Sequence, residues 1–157
     1  MSKITPWLWF DNEAEEAARF YTSLFPNSRI TDVTHYGAVG PKPEGTVMTV
    51  SFELDGQPLV ALNAGPEFPF TEAISLMIDC EDQAETDRYW DALSEGGEEG
   101  PCGWLKDRYG LSWQVVPKRF IELMSDPDKD RAARAMEAMM GMKKLDVAAL
   151  EAAADNA

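Results

Sequence analysis

The sequence predicts an α+β fold: two tandem βαβββ modules, about residues 1–66 and 72–117, forming one domain, with a helical C-terminal extension over 118–157. Three observations predict it. Chemically similar residues recur at a spacing of seventy through the opening of each half. Each half closes on a strand pair with a tight turn, at Asp55-Gly56 and at Tyr109-Gly110. Beyond Pro117 the apolar spacing changes from the period of a strand to that of a helix.

Ile4 to Phe10 is an aromatic-rich strand. Asn12, with Glu15 three positions on, is expected to cap a helix that runs to Phe25 and stops at Pro26-Asn27. Ala17, Phe20, Tyr21 and Leu24 give that helix one apolar face. Arg29–Tyr36 is a strand and Gly37–Gly45 a Gly/Pro loop. Thr46–Leu54 and Pro58–Asn63 then form a hairpin about Asp55-Gly56.

Seventy positions further on, Ser75 stands for Thr5, Ile78 for Leu8, Cys80 for Phe10, Asp82 for Asn12, Glu85 for Glu15 and Trp90 for Phe20. The same capping chemistry therefore opens a second helix, with Tyr89, Trp90 and Leu93 on its buried side and Gly96-Gly97 at its end. The stretch Trp104–Pro117 reads as two short strands, and Pro117, with no amide to give a ladder, ends the second. Alternation there sets Ser112, Gln114 and Val116 on one face and Leu111, Trp113 and Val115 on the other. Gln114 is thus either half-solvated or aimed into a site.

Past Pro117, Asp126-Pro127 is the expected start of a helix ending at Gly141, with Ala132, Ala133, Met136, Met139 and Met140 on its apolar side. A short alanine-rich helix follows over Val147–Ala154. Such an appendage is expected to bury no core of its own, and so to pack on the sheets or on a partner subunit. Its methionines read as packing residues rather than a cofactor box.

The 157 residues are enough to bury roughly 70% of the unfolded surface, so no metal or disulfide is needed as a staple. Fourteen basic residues against 28 acidic ones give a net charge of −14, which repels phosphate backbones and anionic lipid; neither nucleic acid nor a membrane surface is an expected partner. Cys80 lies in an apolar run and Cys102 in a Gly/Pro turn, and together they make neither a framework nor a ligand pair. The opening Met-Ser-Lys-Ile-Thr-Pro lacks the apolar core of a signal peptide, and no apolar run approaches about 18 residues. The expectation is a reduced, cytoplasmic protein.

The fragments Trp7-Leu8-Trp9-Phe10-Asp11, Ala18-Arg19-Phe20-Tyr21-Thr22-Ser23-Leu24-Phe25-Pro26, Val60-Ala61-Leu62-Asn63-Ala64-Gly65-Pro66 and the run Asp107–Pro117 resemble the PhnB-like branch of the vicinal oxygen chelate superfamily. That superfamily also holds glyoxalase, bleomycin resistance proteins and dioxygenases. The resemblance implies that each unit curls into a sheet enclosing half of a cavity, and it implies a homodimer. It also implies ligand positions for a divalent ion on the first and last strands of each unit, which here fall on Thr5, Val60, Ser75 and Gln114. One aliphatic, two hydroxyls and one amide make a poor donor set, and a slip of one residue to Ile4, Pro6, Ala61 or Val115 improves nothing. No metal and no cofactor are therefore expected.

What remains is a wall of apolar and aromatic residues with a few neutral polar groups: Thr5, Trp7, Trp9, Val60, Leu62, Ser75, Met77, Ser112 and Gln114. Such a wall suits a flat or greasy small molecule, although the tryptophans also suit plain filling of the sheet interior. Asp79, Ser75 and Gln114 are the candidate catalytic groups, Asp79 as a general base if it is buried. His35 stands near a strand end without a recognisable partner.

A metal-free binding protein for an aromatic or apolar ligand is the first functional expectation, and an enzyme acting on a quinone-like ring the alternative. The methyltransferase label common in this branch finds no Gly-rich strand-to-helix loop, because Gly96, Gly97 and Gly100 close a helix rather than open one.

Overall fold

The computed structural model describes residues 3–156. It comprises two compact units, one up to Phe70 and the other from Thr71 onward. The first unit runs β1 (Trp7–Phe10), α1 (Ala14–Leu24), β2 (Arg29–His35), β3 (Val47–Leu54) and β4 (Gln57–Asn63). The second repeats this order as β5 (Ser75–Cys80), α2 (Gln83–Ser94), β6 (Glu98–Glu99), β7 (Trp104–Lys106) and β8 (Ser112–Pro117), followed by α3 (Lys118–Met124), α4 (Lys129–Met140) and α5 (Val147–Asp155). Each unit holds a four-stranded mixed sheet, ordered β1-β4-β3-β2 and β5-β8-β7-β6.

The registers carry the duplication to single residues. Trp7 pairs with Val60 and Leu8 with Ala61; seventy and fifty-four positions on, Met77 pairs with Gln114 and Ile78 with Val115. Alternation then fixes what each face does. Leu8, Phe10, Val50, Phe52, Leu59 and Ala61 are buried, and α1 packs over this side through Ala14, Ala17, Ala18 and Tyr21, whose ring stacks on Phe52. Burying a side chain the size of Phe52 contributes about 2–3 kcal/mol. In the second unit Ile78, Cys80, Trp113 and Val115 play the same part beneath Thr86, Tyr89, Trp90 and Leu93 of α2. The opposite face of each sheet carries the candidate ligand residues.

The cap of the first helix differs from the sequence reading, while that of the second agrees with it, and the duplication explains why. Asn12 does not cap α1. Its Oδ1 accepts from Lys42 Nζ at 2.7 Å, and no local side chain caps that helix. The amide of Ala14 instead donates to Asn63 Oδ1 at 2.9 Å, from the end of β4, while Asn63 Nδ2 donates to the Val47 carbonyl. The equivalent of Asn63 in the second unit is Pro117, which has no amide to offer, and there Asp82 caps its own helix by accepting from the Glu85 amide at 2.9 Å. Asn63→Ala is therefore expected to cost about 2 kcal/mol, since a buried tertiary cap and a second hydrogen bond both go, against about 1 kcal/mol for Asp82→Ala. Urea unfolding followed by circular dichroism measures both, and equal costs would refute the assignment.

The C-terminal segment departs further from expectation. It does bury a core: Leu123, Ala135, Leu145, Leu150 and Ala154 cluster together, with Phe120, Met124, Ala138, Met139 and Met142 packed against them. Three helices supply three apolar faces to one another, which no single one of them has to sustain. The α4 cap is Asp128 rather than Asp126, because Asp128 accepts from the amides of Asp130 and Arg131. Asp126 stays outside the helix and holds Arg131 Nε at 2.9 Å. That start turns Ala135 inward and leaves Ala133, Met136 and Met140 exposed, so the apolar side is not the one the spacing predicts.

The segment is pinned to the rest of its unit by directional bonds. The amides of Cys102 and Gly103 donate to the carbonyls of Met142 and Lys143, each at 2.8 Å. The Gln83 side chain donates to the Leu145 carbonyl and accepts from the Val147 amide. Lys144 pairs with Asp87 at 2.9 Å.

Candidate functional site

The face of the first sheet opposite α1 is built in cross-strand rows. One row runs Trp7, Val60, Ser51, Asp32 and the next Trp9, Leu62, Thr49, Thr34. Trp7 is exposed, whereas Trp9 is half-buried because its indole donates to the Gly65 carbonyl at 2.9 Å and its ring meets Phe68 edge-on at 4.8 Å. Thr5, just before β1, is exposed. Trp7, Trp9, Val60 and Leu62 therefore share one face, and only Trp9 has its polar handle committed within the unit.

In the second unit the equivalent face carries a polar row, Ser75, Ser112, Lys106 and Glu98, beside an amphipathic one, Met77, Gln114 and Trp104. Gln114 Nε2 donates to Ser75 Oγ at 2.9 Å, joining the two rows. Ser112 is 1% exposed and its Oγ has no hydrogen-bond partner. Met77 and Asp79 are exposed. Asp79 is thus not the buried carboxylate that the sequence reading required of a general base. Sequence reasoning passed over Trp104 and Lys106, although the hairpin register places them opposite Gln114 and Ser112. Their signal was a count of pairing partners back from the turn, and the five-residue connection from Asp107 to Leu111 hid it.

That connection is organised by Asp107, itself 2% exposed. Its carboxylate accepts from the amides of Tyr109 and Leu111 and from Trp113 Nε1 at 2.8, 3.1 and 2.9 Å. The arrangement fixes both the turn and the Trp113 ring, and so the phase in which Ser112 and Gln114 emerge on the other face. Lys106 Nζ lies 2.7 Å from the Glu72 carboxylate, which holds that carboxyl below the usual range and the ammonium above its own.

Ser75 and Gln114 come together in the second unit; in the first, Thr5 is an exposed hydroxyl and Val60 a hydrocarbon. In neither unit do these residues fit a divalent ion, for they offer it no imidazole and no carboxylate. Among the described residues no cluster of three or more His, Cys, Asp and Glu stands ready to hold a metal. Cys80 offers no nucleophile either, since burial pushes its thiol up to about 11.

A cleft of about 390 Å³ in the first unit is lined by Asn12, Glu15, His35, Lys42, Thr46 and Asn63 among others. Its polar groups are largely committed to the fold: Lys42 to Asp11 and Asn12, Asn63 to Ala14 and Val47. His35 is an exposed residue at its edge. No described helix is long and apolar enough to cross a membrane.

Known proteins share this architecture. The PhnB protein from Bacillus cereus is 38% identical, with a TM-score of 0.67 over 74% of this chain and 99% of its own. Protein PA1353 from Pseudomonas aeruginosa is 22% identical, with a TM-score of 0.62 over 75% and 98%. The fosfomycin resistance protein FosX from Listeria monocytogenes shares the fold at 12% identity, with a TM-score of 0.51 over 74% and 93%. No curated protein matches the chain. The model of the family described as 3-demethylubiquinone-9 3-methyltransferase matches residues 2–116, which span both sheets and stop before the helical extension. By that match, and by the likeness to PhnB, the chain belongs to this PhnB-like family of the vicinal oxygen chelate superfamily.

Proposed function

We propose that this protein binds a flat, aromatic or apolar small molecule without the help of a divalent ion. The observation that carries the reading is the composition of the two sheet faces that lie opposite the helices α1 and α2. Where metal-using relatives set ligands, these faces present Val60, two hydroxyls and a Gln114 amide already bonded to Ser75. Trp7, Trp9 and Leu62 on the first face, and Met77 and Trp104 on the second, offer stacking and dispersion surface. Ser75, Ser112 and Gln114 supply the few polar contacts that orient a ligand. A homodimer belongs to the same proposal, as does a cytoplasmic location.

Methyl transfer, which the family description names, finds no support in the chain's own residues. The glycines at 96, 97 and 100 follow the end of α2, so they cradle no cofactor at the start of a helix.

Calorimetric titration of the purified protein with naphthalene-sized aromatic compounds tests the reading, alongside titration with Zn²⁺, Mn²⁺ and Ni²⁺. Saturable binding of an aromatic compound, weakened about tenfold by Trp7→Ala where the first face holds it and by Trp104→Ala where the second does, with no stoichiometric metal uptake, is the expected result. A stoichiometric, micromolar metal site would overturn it.

A further inference from the structure

The face of the second sheet opposite α2 carries an unmet demand. Ser112 Oγ is buried and unpartnered, a state that native interiors seldom leave in place. Its in-register neighbours are Ser75 on β5 and Lys106 on β7, so three hydrogen-bond donors lie side by side across the sheet. Ser75 accepts from Gln114, which leaves its own O–H to give. Because β8 lies between β5 and β7, the ion pair of Lys106, the register partner of Ser112, with Glu72, three residues before β5, links the chain on the two sides of β8.

This strap is held weakly. Both side chains are substantially exposed, at 39% and 62%, and pairs of that kind contribute little. Glu72 also shows what the place accepts: a carboxylate, held at 2.7 Å by Lys106. Next to it, Met77, Gln114 and Trp104 form the row on which an apolar body would lie.

We propose that this row is a binding site for a flat apolar acid, whose anionic oxygen displaces Glu72 from Lys106 and accepts hydrogen bonds from Ser112 and Ser75. The inference rests on the apolar-ligand reading above and adds to it a charge, a polar anchor and an internal competitor. Lys106 is what makes such a ligand compatible with a chain of net charge −14. Glu72 occupies the position of the ligand's own carboxylate and keeps the lysine paired until the acid arrives.

The test is calorimetric titration of the full chain with 1-naphthoate and with its neutral counterpart 1-naphthamide, in the parent protein and in Ser112→Ala, Lys106→Gln and Glu72→Gln. The parent is expected to prefer the acid by about tenfold, the worth of one charge-assisted contact. Lys106→Gln abolishes that preference, while Glu72→Gln, by removing the competitor, tightens the acid several-fold and leaves the amide unchanged. Ser112→Ala weakens the acid yet raises the Tm of the free protein, because it removes a buried hydroxyl that has nothing to bond. A structural bridge would instead give Lys106→Gln and Glu72→Gln the same effect on both compounds, and that result overturns the proposal. Equal, saturable binding of both probes sinks the acid site and leaves the apolar-ligand reading standing. Binding of neither overturns both.

Discussion

Gly97→Ala is expected to lower stability by at least about 3 kcal/mol, and so the melting temperature by roughly 10 °C for a chain of this size. A Cβ at that position would stand 2.1 Å from the Lys106 carbonyl oxygen and 2.7 Å from the Asp107 carbonyl carbon. Both obstacles are backbone atoms, so no rotamer change relieves them. The chain leaves α2 here and enters β6, whose Glu98 pairs with Lys106, so widening the gap pulls that pairing apart. Gly96→Ala is the control. It carries the left-handed φ of 77° but meets only the Arg108 side chain at 3.4 Å, and about 1 kcal/mol is expected there. Thermal melts of both variants decide the matter, and an unperturbed Gly97→Ala would mean that the α2–β6 connection does not lie against β7.

Asp107→Ala is expected to cost about 4 kcal/mol. Three donors lose a charged acceptor at once, and one of them, the Trp113 indole, is left buried with its N–H unsatisfied. Asp107→Asn keeps an acceptor oxygen and should cost about half as much. The two variants separate a role in hydrogen bonding from a role in charge when their denaturant midpoints are compared with that of the parent. Because the carboxylate also sets the phase of β8, the alanine variant should bind aromatic probes more weakly at temperatures where it is still folded. Parental stability in Asp107→Ala would remove this residue from the account of how Gln114 and Ser112 are aimed.

Much of this architecture is legible in the sequence because it depends on local, periodic chemistry. Alternation along Ser112–Pro117 separates Trp113 and Val115 from Gln114, and the structure keeps that separation. Asp55-Gly56 turns with both residues at positive φ, the conformation that dipeptide suits. Asp82 caps α2 because its partner amide is three residues away.

The misses share the opposite property. Asn12 and Asn63 are equally able to cap a helix, and the choice falls to the one that β4 delivers to the start of α1, forty-nine residues along the chain. The buried side of α4 follows from where Asp128 starts the helix and from what α5 presents to it, and methionine is apolar enough to serve on either side.

Of the candidate site, the aromatic-rich first strand marks Trp7 and Trp9, alternation marks Gln114, and the resemblance puts Thr5, Val60 and Ser75 at ligand positions for which their residue types are unsuited, since donor chemistry belongs to the residue type. Trp104, Lys106 and the pairing with Glu72 enter only with the strand order, because β8 lies between strands that the chain visits long before and just before it. The sequence by itself determined the duplicated βαβββ plan, through a recurrence of residue types seventy positions apart, and the chemical character of each face, through alternation between near neighbours. Tertiary structure alone decided which amide caps α1, which side of α4 is covered and which donors gather around Ser112. Each of those depends on segments distant along the chain being brought within hydrogen-bond or van der Waals reach, where the outcome is set by position rather than by residue type.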